Sequence, residues 1–598
     1  MAAACRPTPS ELAAERTPRQ ALIAALFAAI PTGSFYGFAL YSAALKSQFN
    51  LSQVDLDNLN TIPYLLGIFG PLWGWCAAQL GPKLGLAVGG GMVGAMQLLT
   101  YVLATHPLSV PAPSITLVVV TCVQYCTMSF VSSIAFSTPV VHYQHRRGEA
   151  VALVKSFVGL GGAASAQLFI LFFGDATTLP VESTLNALVM WAGMVWASTA
   201  FAVALMPAAQ APAAEEPRAL LRVLFYLILL LGLSLIAISL LPHGTTHRCL
   251  VPIIILLALA PIPITLGWCS CTGQGMGSPL RECSLEGGTE GDGGDGMALS
   301  GLGGDETAAA ANDRKGSPLT SADAPIPAAS VPAVHDDATA GILESPVAYR
   351  LPQMLQTPDA WLLWVVGTGV MGGGMLVATN LAQVVQSAGA SAGLDTTLVT
   401  LFGAGNMLGR LTSMALSNRI VRRGHSRAWG VVVICSMMSL AQLGFLAASV
   451  AQAATAGQAF LFVGSAATGG LSFGAIWPHL VVCVSELFGS AHLAVNYMLF
   501  DGGCAAVGIY FLGNKLPAAF YEPAGAAHST ACLGSSCYGP SFAIVAALNG
   551  VGVLAAALVA QRSGELYRQI GRTLQRREGH APLAATDSCR RAIHDIRT

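Results

Sequence analysis

Apolar runs of about twenty residues, each closed by a short polar connection, recur along most of the chain. Six occur before residue 210, at 20–42, 60–80, 84–105, 113–136, 149–173 and 185–207, and six more follow at 359–385, 396–416, 428–451, 458–484, 490–514 and 541–561. A helix rises about 1.5 Å per residue, so a run of this length matches the hydrocarbon core of a bilayer and predicts a membrane-spanning helix. Between the two sets lie apolar runs at 220–241 and 249–267, joined by the polar PHGTTHR. They predict a helix hairpin, whose second member carries Pro252, Pro261 and Pro263 and needs neighbours to satisfy the freed carbonyls. The expected fold is an all-α polytopic membrane protein of about 14 transmembrane helices. Its parts are an N-terminal six-helix bundle over 20–208, an extra hairpin over 219–268 and a C-terminal six-helix bundle over 357–562.

The polar stretches orient this array. Residues 1–19 and 563–598 are expected to be cytoplasmic tails, the second one basic. Residues 269–356, rich in Gly, Ala, Ser, Pro and acidic side chains as in SLEGGTEGDGGDG, cannot bury a core and are expected to form a disordered cytoplasmic linker. Lys83, Arg146, Arg147, Arg419, Arg422, Arg423 and Arg427 all fall in alternate connections. By the positive-inside rule those connections and both termini lie in the cytoplasm. The opposite connections carry the glycosylation sequon Asn50-Leu51-Ser52 and, in ACLGSSCYGP, the pair Cys532 and Cys537, an expected disulfide in an oxidising compartment. Which membrane holds the protein is not encoded in these features.

Composition closes off other classes. With 598 residues, 54% hydrophobic and 10% charged, the chain is too apolar for an ordinary soluble protein. The fourteen cysteines show no metal-ligand spacing, and no phosphate loop or nucleophile–base pair is present, so neither metal, cofactor nor enzymatic reaction is expected. The expected partners are the lipid bilayer, a small-molecule substrate and a coupling proton or cation, with no nucleic acid.

Charges inside spans are costly in a bilayer and mark function or structural pairing. Arg410 stands within DTTLVTLFGAGNMLGRL, and Asn406, four residues earlier, shares its helix face. Asp501, in NYMLFDGGCAAVGIY, lies near the middle of its span, where a carboxylate costs most and most often serves ion or proton movement. Lys155 lies two turns into its span, within reach of snorkelling to the inner surface. Glu486 closes its span and is expected to form a gating salt bridge to an inner-loop arginine. Along the helices expected to line a path, the polar candidates are Tyr36, Tyr41, Gln124, Asn380, Gln383 and His479, with interhelical hydrogen bonding as the plain alternative.

Two sets of six spans form a doubled design of the kind that encloses a solute path. GWCAAQLGPK, Gly74 to Lys83, and MALSNRIVRRG, Met414 to Gly424, occupy equivalent connections in the two halves. They resemble the loop G-x-x-x-D-R-x-G-R-R of the major facilitator superfamily: Gly74, Gly81, Lys83 and Arg419 fit, while Ala78 and Asn418 stand at the acid positions. The segments YGFALYSAALKSQFNLSQVDLDNLNTI, RRGEAVALVKSFVGLGGA, DAWLLWVVGTGVMGGGMLVATNLAQVVQSAG, FGAGNMLGRLTSMALSNRI and GAIWPHLVVCVSELFGSAHLAVNYMLFDGG resemble the nodulin-like branch of that superfamily. GNMLGRL is more distantly similar to monocarboxylate transporters, where an acid and an arginine four residues apart serve proton and carboxylate, and here Asn406 replaces the acid. The resemblance implies a secondary transporter working by alternating access on a small polar or anionic organic solute. Amino acids and metal cations stay open as substrates, as does a transport-inactive scaffold or receptor that uses the linker.

Overall fold

The structure, a computed structural model, describes residues 9–33, 38–51, 53–106, 112–173, 181–207, 218–239, 344–390, 394–526 and 532–580. Every regular element among them is helical. In the first half these are α1 (Pro9–Thr32), α2 (Phe38–Phe49), α3 (Gln53–Leu65), α4 (Gly70–Leu80), α5 (Pro82–Thr105), α6 (Pro113–His142), α7 (Arg147–Phe173) and α8 (Asn186–Leu205). Then α9 (Arg218–Ser239) covers the first member of the expected hairpin. In the second half are α10 (Leu351–Leu355), α11 (Pro358–Ser387), α12 (Leu394–Arg422), α13 (Ala428–Val450), α14 (Ala456–Phe488), α15 (Leu493–Met498), α16 (Ala505–Val507), α17 (Leu516–Ala526), α18 (Gly539–Arg562) and α19 (Gly564–His580). Two π-helical stretches, Leu499–Cys504 and Gly508–Lys515, join α15, α16 and α17 into one continuous span.

Eight of these helical stretches are long and apolar enough to cross a membrane, the longest, Asn58–Thr105, holding two of the expected spans. All but one of the expected spans are helical here; the exception, 249–267, lies with most of the linker outside the described residues. The outward-facing side chains agree with a bilayer as solvent, because large apolar groups such as Phe460 (76% exposed) and Leu554 (67%) point away from the protein. The all-α architecture expected from the sequence is the one observed among the described residues.

One buried apolar cluster runs through both halves, which meet along two seams. On one, α7 lies against α12; on the other, α4 packs on α15 and the first π stretch. That second seam is built by glycines. A Cβ at Gly67 would overlap the carbonyl oxygen of Gly502, one at Gly70 would meet that of Met498 at 2.5 Å, and one at Gly74 that of Ala494 at 2.5 Å. Backbone therefore touches backbone, as small residues allow between membrane helices. Gly74, read from the sequence as a loop-motif residue, serves this crossing instead. Gly502→Ala is expected to cost about 1–3 kcal/mol through overpacking, read as a lower thermal midpoint in detergent. Gly464→Ala, at a site with nothing within 4 Å, is the control and should leave the midpoint unchanged.

The first seam is covered from outside by α9, which contacts both α7 and α12 and rests Gly232 against Met407. At the end of the bundle opposite the arginine-rich loops, Cys532 and Cys537 are disulfide-bonded as expected. Asn50 is exposed at a helix end with φ of 49°, a left-handed conformation that asparagine adopts readily.

Candidate functional site

Three elements bring the charged span residues together. Lys155 on α7 donates from Nζ to Asp501 Oδ1 in the first π stretch at 2.9 Å. Tyr497, one turn before Asp501, donates its hydroxyl to the same oxygen. Arg410 on α12 donates from one terminal nitrogen to the main-chain oxygen of Lys155 at 2.6 Å, and from Nε to Asn406 Oδ1 at 3.1 Å. Lys155 and Arg410 are only 2% and 1% exposed, so neither charge has water as its main partner. Aromatic faces supply the rest: Lys155 Nζ sits 3.3 Å from the centroid of Phe136 and 5.1 Å from that of Trp477, and the Arg410 guanidinium carbon is 5.8 Å from Trp477.

Beside this cluster lies a cavity of about 60 Å³, lined from the first half by Thr32, Tyr64, Tyr125, Ser132, Phe136 and Lys155 and from the second by Arg410, Trp477 and Asp501. At about 30 Å³ per water, it holds roughly two waters. Two cations face one carboxylate there, leaving one positive charge uncompensated among the described residues. The π geometry places Asp501 at this junction, and π turns of this kind recur at functional sites in membrane and soluble helices alike.

The sequence candidates divide. Arg410, Asn406, Lys155 and Asp501 meet, although Lys155 does not snorkel: the nearby carboxylate and the Phe136 ring hold its ammonium inside the bundle. Tyr41 is packed away from the cavity, edge-on to Phe38 in an apolar cluster with Leu45 and Phe169. Tyr125 rather than Gln124 lines the cavity. Asn380 ties α11 to the second π stretch by donating to Gly513 O at 3.2 Å, and Gln383 accepts from the Tyr538 hydroxyl at 3.1 Å, so both are interhelical hydrogen-bond partners. His479 is buried near Gly430, its Nδ1 2.9 Å from Ala475 O, and does not reach the cavity. Tyr36 lies outside the described residues. Phe136, Trp477 and Tyr497 were not singled out by sequence reasoning; Tyr497 was findable, because it stands four residues before Asp501 on the same helix face.

Residues 20–267 match the family model described as Nodulin-like, and residues 340–568 match the one described as NFD4, C-terminal domain. The first half of the chain thus carries a nodulin-like domain and the second an NFD4 C-terminal domain. No curated protein matches the chain. Among solved structures, the chain is similar to the proton:xylose symporter XylE bound to 6-bromo-6-deoxy-D-glucose, at 13% identity over 93% of this chain and 98% of that one, with a TM-score of 0.48. It is also similar to FucP, a major facilitator superfamily transporter in the outward conformation, at 12% identity over 91% and 98%, with a TM-score of 0.45.

The protein is closed at its arginine-rich end by a second charged cluster. Arg427, in the turn between α12 and α13, makes paired 2.8 Å bonds to the two carboxylate oxygens of Glu486, and its remaining contacts are Ser417 Oγ and Asn418 Oδ1, each at 3.0 Å. The salt bridge expected between Glu486 and an inner-loop arginine is therefore present. Asn418, at the acid position of the loop motif, keeps a latch with its amide oxygen in place of a carboxylate. Arg419, the motif position, is exposed and outside this latch, because the turn brings Arg427 to it instead. In the first copy of the motif Ala78 and Lys83 are exposed, and Gly81 carries the positive φ of 75° that ends α4.

The same cluster crosses between halves. Arg147, at the start of α7, donates to Ser485 at 3.2 Å and pairs with Glu344 at 3.1 Å, while Ser490 donates to the other oxygen of Glu344 at 2.9 Å. The hydroxyl of Tyr567 on α19 donates to Glu486 at 2.7 Å from a fully buried position. Burial in this apolar surrounding, reinforced by the neighbouring carboxylate, pushes the Tyr567 phenol well above its ordinary value, so it stays a donor. At the other end the halves are joined by Lys515 Nζ to Asn58 Oδ1 at 3.1 Å.

Proposed function

We propose that this protein is a secondary transporter that moves a small organic anion by alternating access between its two six-helix halves. The observation that carries the reading is the uncompensated positive charge of Lys155 and Arg410 against Asp501, placed at the junction of both halves and lined by aromatic rings. A metal cation would add to that excess, so cations are the poorer substrates. The cavity of about 60 Å³ is too small for most organic anions, which is what a state between the two open ones requires. Asp501 is the acid through which proton coupling would run, relayed to Tyr497 and Lys155. Both termini and the linker over 269–356 are assigned to the cytoplasmic side on the distribution of arginines.

Flux measurements in liposomes containing the purified protein, screened over carboxylates, amino acids, sugars and metal cations, test the reading. Uptake of at least one organic anion, competed by its congeners, is expected; flux of none of these solutes would leave a scaffold role as the better account. Within that assay Arg410→Lys should fold, since the cation is kept. It should weaken anion affinity about tenfold or more, because an ammonium cannot hold Asn406, Lys155 O and a ligand in the fixed fork of a guanidinium.

A further inference from the structure

A second cavity, larger than the one between the halves, also flanks the seam. It lies outside them, where α9 bridges α7 and α12 near the arginine-rich end, and has a volume of about 390 Å³. This falls within the roughly 300–1,000 Å³ of ordinary ligand pockets. Four arginines line it: Arg146, Arg218, Arg222 and Arg422. The carboxylate present, Glu149, is taken by Arg146 at 2.9 Å. Arg218 and Arg222 are exposed, four residues apart in the first turns of α9, and form no ion pair among the described residues. The remaining wall is apolar, with Leu153, Phe225 and Leu411 facing the same space.

We infer that this cleft binds one anionic phospholipid, its phosphate among the arginines and an acyl chain against the apolar wall. Two features select this occupant. The polar and apolar parts of the cleft are contributed by the same three helices, and α9 runs from its arginines straight into an unbroken apolar sequence, VLFYLILLLGLSLIAIS, which sets the arginines at the level of lipid headgroups. The acidic part of the chain's own linker, SLEGGTEGDGGDG, matches the charge but offers almost nothing to the apolar wall. Since α9 touches both α7 and α12, a lipid held there spans the seam and favours the state in which the halves are together at this end.

The test uses the full chain purified in a neutral detergent and examined by native mass spectrometry with added phosphatidylglycerol or phosphatidylcholine. One phosphatidylglycerol should be retained per chain at concentrations where phosphatidylcholine is not. The double variant Arg218→Gln/Arg222→Gln should lose that retention by roughly tenfold or more, with an unchanged thermal midpoint in the absence of lipid, because both side chains are exposed and form no ion pair among the described residues. Equal retention of the two lipids, or unaltered retention by the double variant, would overturn the proposal. So would displacement of phosphatidylglycerol by equimolar glycerol phosphate, which would mark a soluble-anion site. Retention that appears only after deletion of residues 275–340 would assign the cleft to the linker instead.

Discussion

Asp501→Asn is expected to abolish flux and to lower stability by about 3–5 kcal/mol, the effect of removing one partner from a buried ion pair. The substitution leaves the Lys155 ammonium, 2% exposed, with aromatic rings but no carboxylate. Lys155→Met should also abolish flux but destabilise less. The abandoned Asp501 keeps the Tyr497 hydroxyl and lies closer to water, with 16% of its side chain exposed. The double variant Lys155→Met/Asp501→Leu should recover most of the lost stability while staying inactive, because an ion pair replaced by apolar side chains of similar volume is often neutral. Thermal melts and liposome flux on the three proteins check this order. Restored stability together with restored flux would show that the pair is only a strut.

The second large effect is expected at the arginine-rich end. Glu486→Gln removes the carboxylate that satisfies Arg427 on two atoms and accepts from Tyr567, and leaves a guanidinium 3% exposed without a counter-charge. A loss of about 3–5 kcal/mol follows for a broken buried pair. Because Arg147 bonds Ser485 next door and Ser345 N donates to Glu486 O, the loosening should spread across the seam. Hydrogen exchange should rise over Gln144–Ala150 and residues 344–349, with the cavity-lining segment of α14 around Trp477 less affected. Tyr567→Phe, which removes one hydrogen bond and keeps the ring, should cost only about 1 kcal/mol. An unchanged exchange pattern in Glu486→Gln would mean that the closure rests on apolar packing alone.

How far the chain could be read in advance follows from what each signal depends on. Span positions were legible because a bilayer imposes a length on every apolar run; the sole expected span not seen, 249–267, lies outside the described residues. Arg410, Lys155 and Asp501 were legible as costly charges within apolar helices. Their pairing was not. Lys155 and Asp501 are 346 positions apart, and nothing in either segment states which partner the other half will present. The aromatic lining was hidden for a related reason: Phe136 and Trp477 look like lipid-facing or packing residues until the fold sets them around an ammonium. Tyr41, Gln124, Asn380, Gln383 and His479 are not among the residues that line the cavity, since a polar side chain in a span is more often a hydrogen-bond partner of a neighbouring helix. The Arg427 latch was obscured by its loop, where four arginines share nine positions and only the turn geometry decides which one points inward.

The position of Tyr567 has a consequence for how this molecule comes into being. The helix that carries it, α19, follows α18 in the chain, so it leaves the ribosome after the spans that precede it. Until then Glu486 has Arg427 but no phenol above it, and the turn at Gly424 has no Gly571 packed on it. A nascent chain stopped after Arg562 would thus hold α1–α18 yet lack the phenol that plugs this end, so the barrier here is sealed only once α19 has been made.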